Sequence, residues 1–207
     1  MNAQTQVLTV RGPVGTLQAV RDEPLDKPVR GVAVIAHPHP LFGGTLDNKV
    51  VQTLARAFVQ CGWTAVRFNF RGVGASEGSY DEGRGEVADM LAVIEQTAAG
   101  PLALAGFSFG AHVTSHAVQA LWPARAISKL VLVGTAASRF EVATVPVDLH
   151  EQTLVVHGEQ DDTVPLLAAL DWARPQTLPV TVVPGGGHFF HGQLPLLKCL
   201  VVRHLVA

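Results

Sequence analysis

Two serines in this chain sit in the same five-residue frame of glycine, any residue, serine, any residue, glycine. They are Ser76 in Gly74-Ala75-Ser76-Glu77-Gly78 and Ser108 in Gly106-Phe107-Ser108-Phe109-Gly110. A serine hydroxyl attacks a carbonyl at neutral pH only when a base takes its proton and a third group orients that base. The frame matters because the turn that lifts such a serine off a sheet brings backbone close to backbone, where glycine has no Cβ to clash. The turn also needs a strand leading straight in and a helix leading straight out. Apolar "PLALA" precedes Ser108 and "AHVTSHAVQAL", with helical apolar spacing, follows it. Ser108 therefore meets the requirement. After Ser76 comes "EGSYDEGRGE", acidic and glycine-rich, a run with which no helix is expected to begin. Ser76 is read as a solvated loop hydroxyl.

Base and acid candidates lie downstream, in "HGEQDDTVP" and "PGGGHFFHG". Each falls just past an apolar strand-like run, as Ser108 does, so all three would meet at one edge of a sheet. His188 follows three glycines that let its loop carry an imidazole to Ser108. His191 stands nearer the last helix and is read as a supporting or helix-entry residue. Asp161 and Asp162 are adjacent and both stay open as the acid, Asp162 also fitting a loop carboxylate before Pro165. An oxyanion needs preorganised N–H donors. Phe109, next after the serine, should give one, and the loop "HPHPLFGGT" the other. Pro38 and Pro40 have no N–H, which leaves His39, Leu41 or Phe42, with Leu41 and His39 leading. The same "HPHP" raises the idea of metal ligands, but no HExxH or CxxC spacing is present. His37 is read as a strand-end histidine satisfied within its loop. No metal and no other cofactor is expected.

The positioning elements follow from alternation. Runs at 31–36, 64–70, 102–105, 130–133, 153–156 and 180–183 suit strands buried on both faces of a parallel sheet. Helical stripes lie between them: Val50, Val51, Leu54, Ala55, Phe58 and Val59; Val87, Met90, Leu91 and Ile94; Ala117, Val118 and Leu121; and Leu197, Leu200, Val201 and Leu205. The opening segment reads as a hairpin around Gly12-Pro13-Val14-Gly15, an antiparallel edge. The pattern predicts one α/β domain over residues 1–207, a mostly parallel central sheet flanked by helices, with loops at the carboxyl ends of strands forming the site. The roughly twenty residues between the fourth and fifth parallel runs are too short for a sizeable lid.

Composition narrows the class. Of 207 residues 48% are hydrophobic and 15% charged, which argues for a packed globular domain. A net charge of −2 gives no electrostatic reason to expect nucleic acid or an anionic membrane. Cys61 and Cys199 form no CxxC pair and are read as buried thiols in a reducing compartment. With neither a basic leader nor a long apolar run, a soluble cytoplasmic protein is expected.

The stretches "AHPHPLFGGTLDNKVV", "FNFRGVGASEG", "AGFSFGAHV", "HGEQDDTVP" and "GGGHFFHG" together resemble the α/β-hydrolase superfamily. The likeness is to its short, lidless bacterial branch related to dienelactone hydrolases and small serine esterases. The resemblance implies an α/β-hydrolase fold and a Ser-His-Asp triad of Ser108, His188 and Asp161, the last matching the family acid. It also implies that "NFRGxGxSxG" is the loop after the fourth strand rather than the nucleophile turn. Dienelactone hydrolases usually carry cysteine where this chain has Ser108, which argues against that substrate. The expected partner is a small ester-like molecule, with Phe42, Phe107, Phe189 and Phe190 as candidate pocket walls and Phe107 equally suited to the core. A monomer or homodimer is expected.

Overall fold

The computed structural model describes residues 5–25 and 27–207. The chain opens as a hairpin, β1 (Gln6–Gly12) and β2 (Gly15–Asp22), closed by a two-residue Pro13-Val14 turn with Gly12 opposite Gly15. There follow β3 (Gly31–Ala36), α1 (Lys49–Gln60), β4 (Trp63–Phe68), α2 (Arg84–Thr97), β5 (Leu102–Phe107) and α3 (Phe109–Leu121). The second half holds β6 (Ile127–Val133), β7 (Thr153–Gly158), α4 (Leu166–Ala173), β8 (Val180–Val183) and α5 (Leu194–Val206). They build an eight-stranded sheet in the order β1-β2-β4-β3-β5-β6-β7-β8. The hairpin joins β4 antiparallel, and β4 through β8 run parallel. Between β6 and β7 the chain makes loops and a single three-residue 3-10 turn, Val147–Leu149, so no lid domain covers this edge.

Strands β3, β4 and β5 are buried at every residue, as two-sided coverage demands. Side-chain alternation divides the core. Ala33 and Ile35 pack with Leu54 and Phe58 of α1 and Leu197 and Val201 of α5, while Val34 and Ala36 pack with Met90 of α2 and Val113 of α3. The free edge at β1 is partly covered, because the Gln96 amide of α2 accepts from Arg11 N and donates to Arg11 O. That occupies one pair of the backbone groups an edge strand would offer to another chain. Among the described residues no helix is long and apolar enough to cross a membrane.

Three expectations need correction. Strand β4 stops at Phe68, not 70: Asn69 N still bonds Gln18 O of β2, but Phe70 N turns to the His37 ring instead of a strand carbonyl. Helix α2 begins at Arg84, inside the glycine-rich run read as non-helical. The buried Glu86 carboxylate accepts from Asp81 N and Gly83 N and so caps the first turn. Cys61 is buried at the end of α1, but Cys199 is exposed, on the outer face of α5.

The loop after β4 is fastened to α2 by a buried ion pair. Asp89 receives Arg71 N and Nε at 3.0 Å on one oxygen and Arg71 Nη2 at 2.7 Å on the other. Removing one partner of such a pair leaves an uncompensated buried charge. Asp89→Ala is expected to lower the unfolding free energy by about 3–5 kcal/mol, read from urea denaturation. A loss below 1 kcal/mol would show that water reaches Arg71.

Candidate active site

Ser108 stands alone between β5, which ends at Phe107, and α3, which starts at Phe109. Its backbone has φ 58° and ψ −117°, a conformation that side-chain-bearing residues avoid and that costs about 1–3 kcal/mol. The turn is held by Ser108 N donating to Val133 O of β6 at 2.8 Å. Both flanking glycines are required by contact. A Cβ on Gly106 would lie 2.2 Å from Gly110 O, and one on Gly110 would lie 2.4 Å from Ala36 O.

The acid and base loops sit back to back beyond β7 and β8. Glu159 N donates to Val183 O and Gln160 N to Gly186 O, at a distance where a Cβ on Gly158 would stand 2.3 Å from Gly186 O. This packing sets Asp161 beside His188. The His188 ring lies over Phe107, centroids 4.9 Å apart, and against Gly134. Its Nε2 is 3.0 Å from Ser108 Oγ and its Nδ1 2.7 Å from Asp161 Oδ2. All three residues are buried, Ser108 keeping 7% of its surface exposed.

Asp161 Oδ1 accepts from Thr163 N and Val164 N, which leaves Oδ2 for the imidazole. Burial alone would push this carboxyl up. The hydrogen bonds from His188 and Val164 N–H, with the nearby imidazoles, outweigh it and hold the group below the ordinary carboxylate value. Asp162 is exposed and bonds only the Thr163 hydroxyl. A charged Asp161 accepts the N–H at His188 Nδ1, which leaves Nε2 to face Ser108.

Sequence reasoning passed over His157, although it opens the acid motif. It is wholly buried at the end of β7, and burial pushes its imidazole down, so it is neutral. Its Nε2 donates to Val164 O at 2.8 Å and lies 3.4 Å from Asp161 Oδ2. The usable signal was its spacing, four residues before Asp161 at a strand end. His157→Phe, which removes that N–H, is expected to reduce kcat about tenfold, or roughly 1.4 kcal/mol, with KM unchanged. His157→Gln should recover part of the loss through its amide, and an unaltered kcat in His157→Phe would deny the residue any influence on Asp161.

The other candidates fall elsewhere. Ser76 is buried, not solvated. Its hydroxyl donates to Asn69 O and accepts from Gln18 N, stitching the β4 loop to β2. His191 is exposed in the turn before α5. His37 is buried with both ring nitrogens engaged, Nδ1 donating to Pro38 O and Nε2 accepting from Phe70 N, and burial pushes it down to about 4. Among the described residues no group of three or more His, Cys, Asp or Glu is arranged to hold a metal ion. In the 39–42 loop Leu41 N donates to His39 Nδ1 and Phe42 N to His39 O. Among the described residues the backbone N–H groups of His39 and Phe109 have no protein acceptor. Phe107 and Phe190 are fully buried core residues, which removes Phe190 as a pocket wall, whereas Phe42 and Phe189 are 83% and 42% exposed.

A family model described as serine aminopeptidase, S33, matches residues 28–148, more than half of the chain. A Xanthomonas campestris protein described as an α/β serine hydrolase without lid is 36% identical, with a TM-score of 0.86 over 100% of this chain and 95% of that one. The chain belongs to the α/β serine hydrolases. A Coxiella burnetii α/β serine hydrolase homologue is also similar to this hydrolase, 38% identical with a TM-score of 0.83 over 97% of both chains. An uncharacterised Rickettsia prowazekii protein is 40% identical over 113 residues, which is 52% of the hydrolase and 47% of that relative's length. The S33 match ends before Asp161 and His188, but the Xanthomonas fold runs through both.

Proposed function

We propose that this hydrolase cleaves small carboxylic ester-like substrates through an acyl-enzyme. The observation that carries the reading is the single imidazole of His188, 3.0 Å from the Ser108 hydroxyl and 2.7 Å from the Asp161 carboxylate. Ser108 Oγ attacks the carbonyl carbon as His188 Nε2 takes its proton, and Asp161 stabilises the imidazolium. The carbonyl oxygen becomes an oxyanion met by the N–H groups of Phe109 and His39, since the Leu41 and Phe42 N–H groups are already engaged. His188 then gives its proton to the leaving alcohol. Water, deprotonated by the same imidazole, frees the acid and regenerates Ser108. The open rim between β6 and β7 supports small soluble esters as substrates, handled without metal or other cofactor, by a cytoplasmic monomer or homodimer.

A second reading is favoured by the S33 description: release of an N-terminal amino acid from a peptide by the same steps. A panel of p-nitrophenyl esters, acyl-CoAs and aminoacyl p-nitroanilides separates the two. Turnover of the esters with the anilides untouched supports the first, and the reverse order the second. A fluorophosphonate probe should attach to the Ser108 peptide, and a probe that leaves that peptide unmodified removes both.

A further inference from the structure

A cleft of about 570 Å³ opens beside the N-terminus of α3, between the loop after β4 and the loop after β6. Behind its lining residues lie two rings from the residues proposed to meet the oxyanion, His39 and Phe109, with centroids 5.0 Å apart. Tyr80, from the loop after β4, lies 4.9 Å from the first ring and 5.9 Å from the second. Phe140, from the loop after β6, lies 5.8 Å and 5.1 Å from the same two. Tyr80 and Phe140 line the cleft, and among the described residues they make no ring contact with each other. The two rings thus approach one pair of rings from opposite loops, Phe140 also stacking on the His112 ring with centroids 5.0 Å apart. Such walls favour a flat, polarisable guest over a chain or a puckered ring.

Charge at the mouth is uneven. Arg84 is engaged by Asp81 at 3.2 Å and Glu82 at 3.8 Å. Arg139 has no carboxylate within ion-pair distance among the described residues. Its field reaches the His39 imidazole, which burial first and Arg139 second hold below its usual value. Glu141 also lines the cleft, where its backbone carbonyl accepts from the rings of His112 and His116.

We propose that this cleft is the subsite for the non-reacting part of the substrate, and that it takes a flat aromatic group bearing a negative charge, stacked between Tyr80 and Phe140 with its anion at Arg139. The subsite role rests on Ser108 being the nucleophile, whereas the ligand preference does not.

The test uses the full chain carrying Ser108→Ala and calorimetric titration with three probes: 2-naphthoate, its saturated decahydro counterpart, and neutral 2-naphthylmethanol. The naphthoate should bind about tenfold more tightly than either of the others. Phe140→Leu, which keeps an apolar side chain but loses the ring face, should weaken it about fivefold, and Arg139→Gln about threefold. In the unsubstituted enzyme, naphthoate should slow fluorophosphonate labelling of Ser108. Equal affinities for the three probes, or naphthoate binding indifferent to both substitutions, overturns the ligand preference. Labelling that proceeds at full rate with the cleft saturated overturns the subsite role. Absence of labelling without any naphthoate would instead count against Ser108 as nucleophile and leave the calorimetry to decide the ligand.

Discussion

Ser108→Ala is expected to lower kcat/KM for p-nitrophenyl acetate by about 10⁴- to 10⁶-fold. In the proposed mechanism the hydroxyl, the imidazole and the carboxylate act as one unit, so that without Oγ His188 would have no proton to move and no acyl-enzyme would form. His188→Ala should cost nearly as much, and the double variant little more than either alone, since the second change removes a group that already has no partner. What remains would come from the backbone donors of Phe109 and His39 acting on attack by water. Ser76→Ala is the control drawn from the same five-residue frame. It should keep the activity while losing about 1–3 kcal/mol of stability, because Gln18 N and Asn69 O lose their shared hydroxyl. Full ester turnover by Ser108→Ala would sink the proposed mechanism.

Acid should unfold the enzyme at an unusually mild pH. His37, His112 and His204 are each pushed by burial from the usual 6.5 to about 4. Between those values the unfolded chain binds protons that the folded chain refuses. Stability is therefore fully present above about pH 6.5 and falls as pH drops toward 4. For His37, completely buried, the difference is worth roughly 3 kcal/mol, and the two less enclosed rings add smaller amounts because water screens them. Asp161, held below its ordinary value, works in the same sense at still lower pH, as its protonation in the fold is disfavoured too. Urea midpoints measured from pH 7.5 to 4.5 should decline throughout. His37→Gln, with a side chain that cannot titrate, should flatten the decline. Midpoints that stay level down to pH 5 would mean that these rings are hydrated in the fold.

Much of this architecture was legible in the chain because its signals are local. The apolar runs that became β3, β5, β6 and β7 are short, uninterrupted and bounded by turns. The contrast between the two glycine-serine frames needed only what stands on either side of each. What escaped depends on partners distant in sequence. Ser76 looked solvated because its neighbours are polar, and its burial comes from Gln18, 58 residues earlier. The start of α2 was hidden because its cap is a carboxylate inside the helix rather than a serine or aspartate before it. Cys199 looked internal because α5 is apolar over most of its length, and which flank meets α1 is decided by Leu197, Val201 and Leu205. In the 39–42 loop, the spacing of prolines limited the possible donors to three. What separates them is His39 itself, its ring accepting from Leu41 N and its carbonyl from Phe42 N.

The unfavourable dihedral angles of Ser108 are present before any substrate arrives, locked by Val133 O on one side and by the mutual contact of Gly106 and Gly110 on the other. In the proposed mechanism, a backbone already bent into its working shape has little left to rearrange when a carbonyl carbon bonds to Oγ. Thermal stability is conceded at one residue so that the hydroxyl keeps a constant aim.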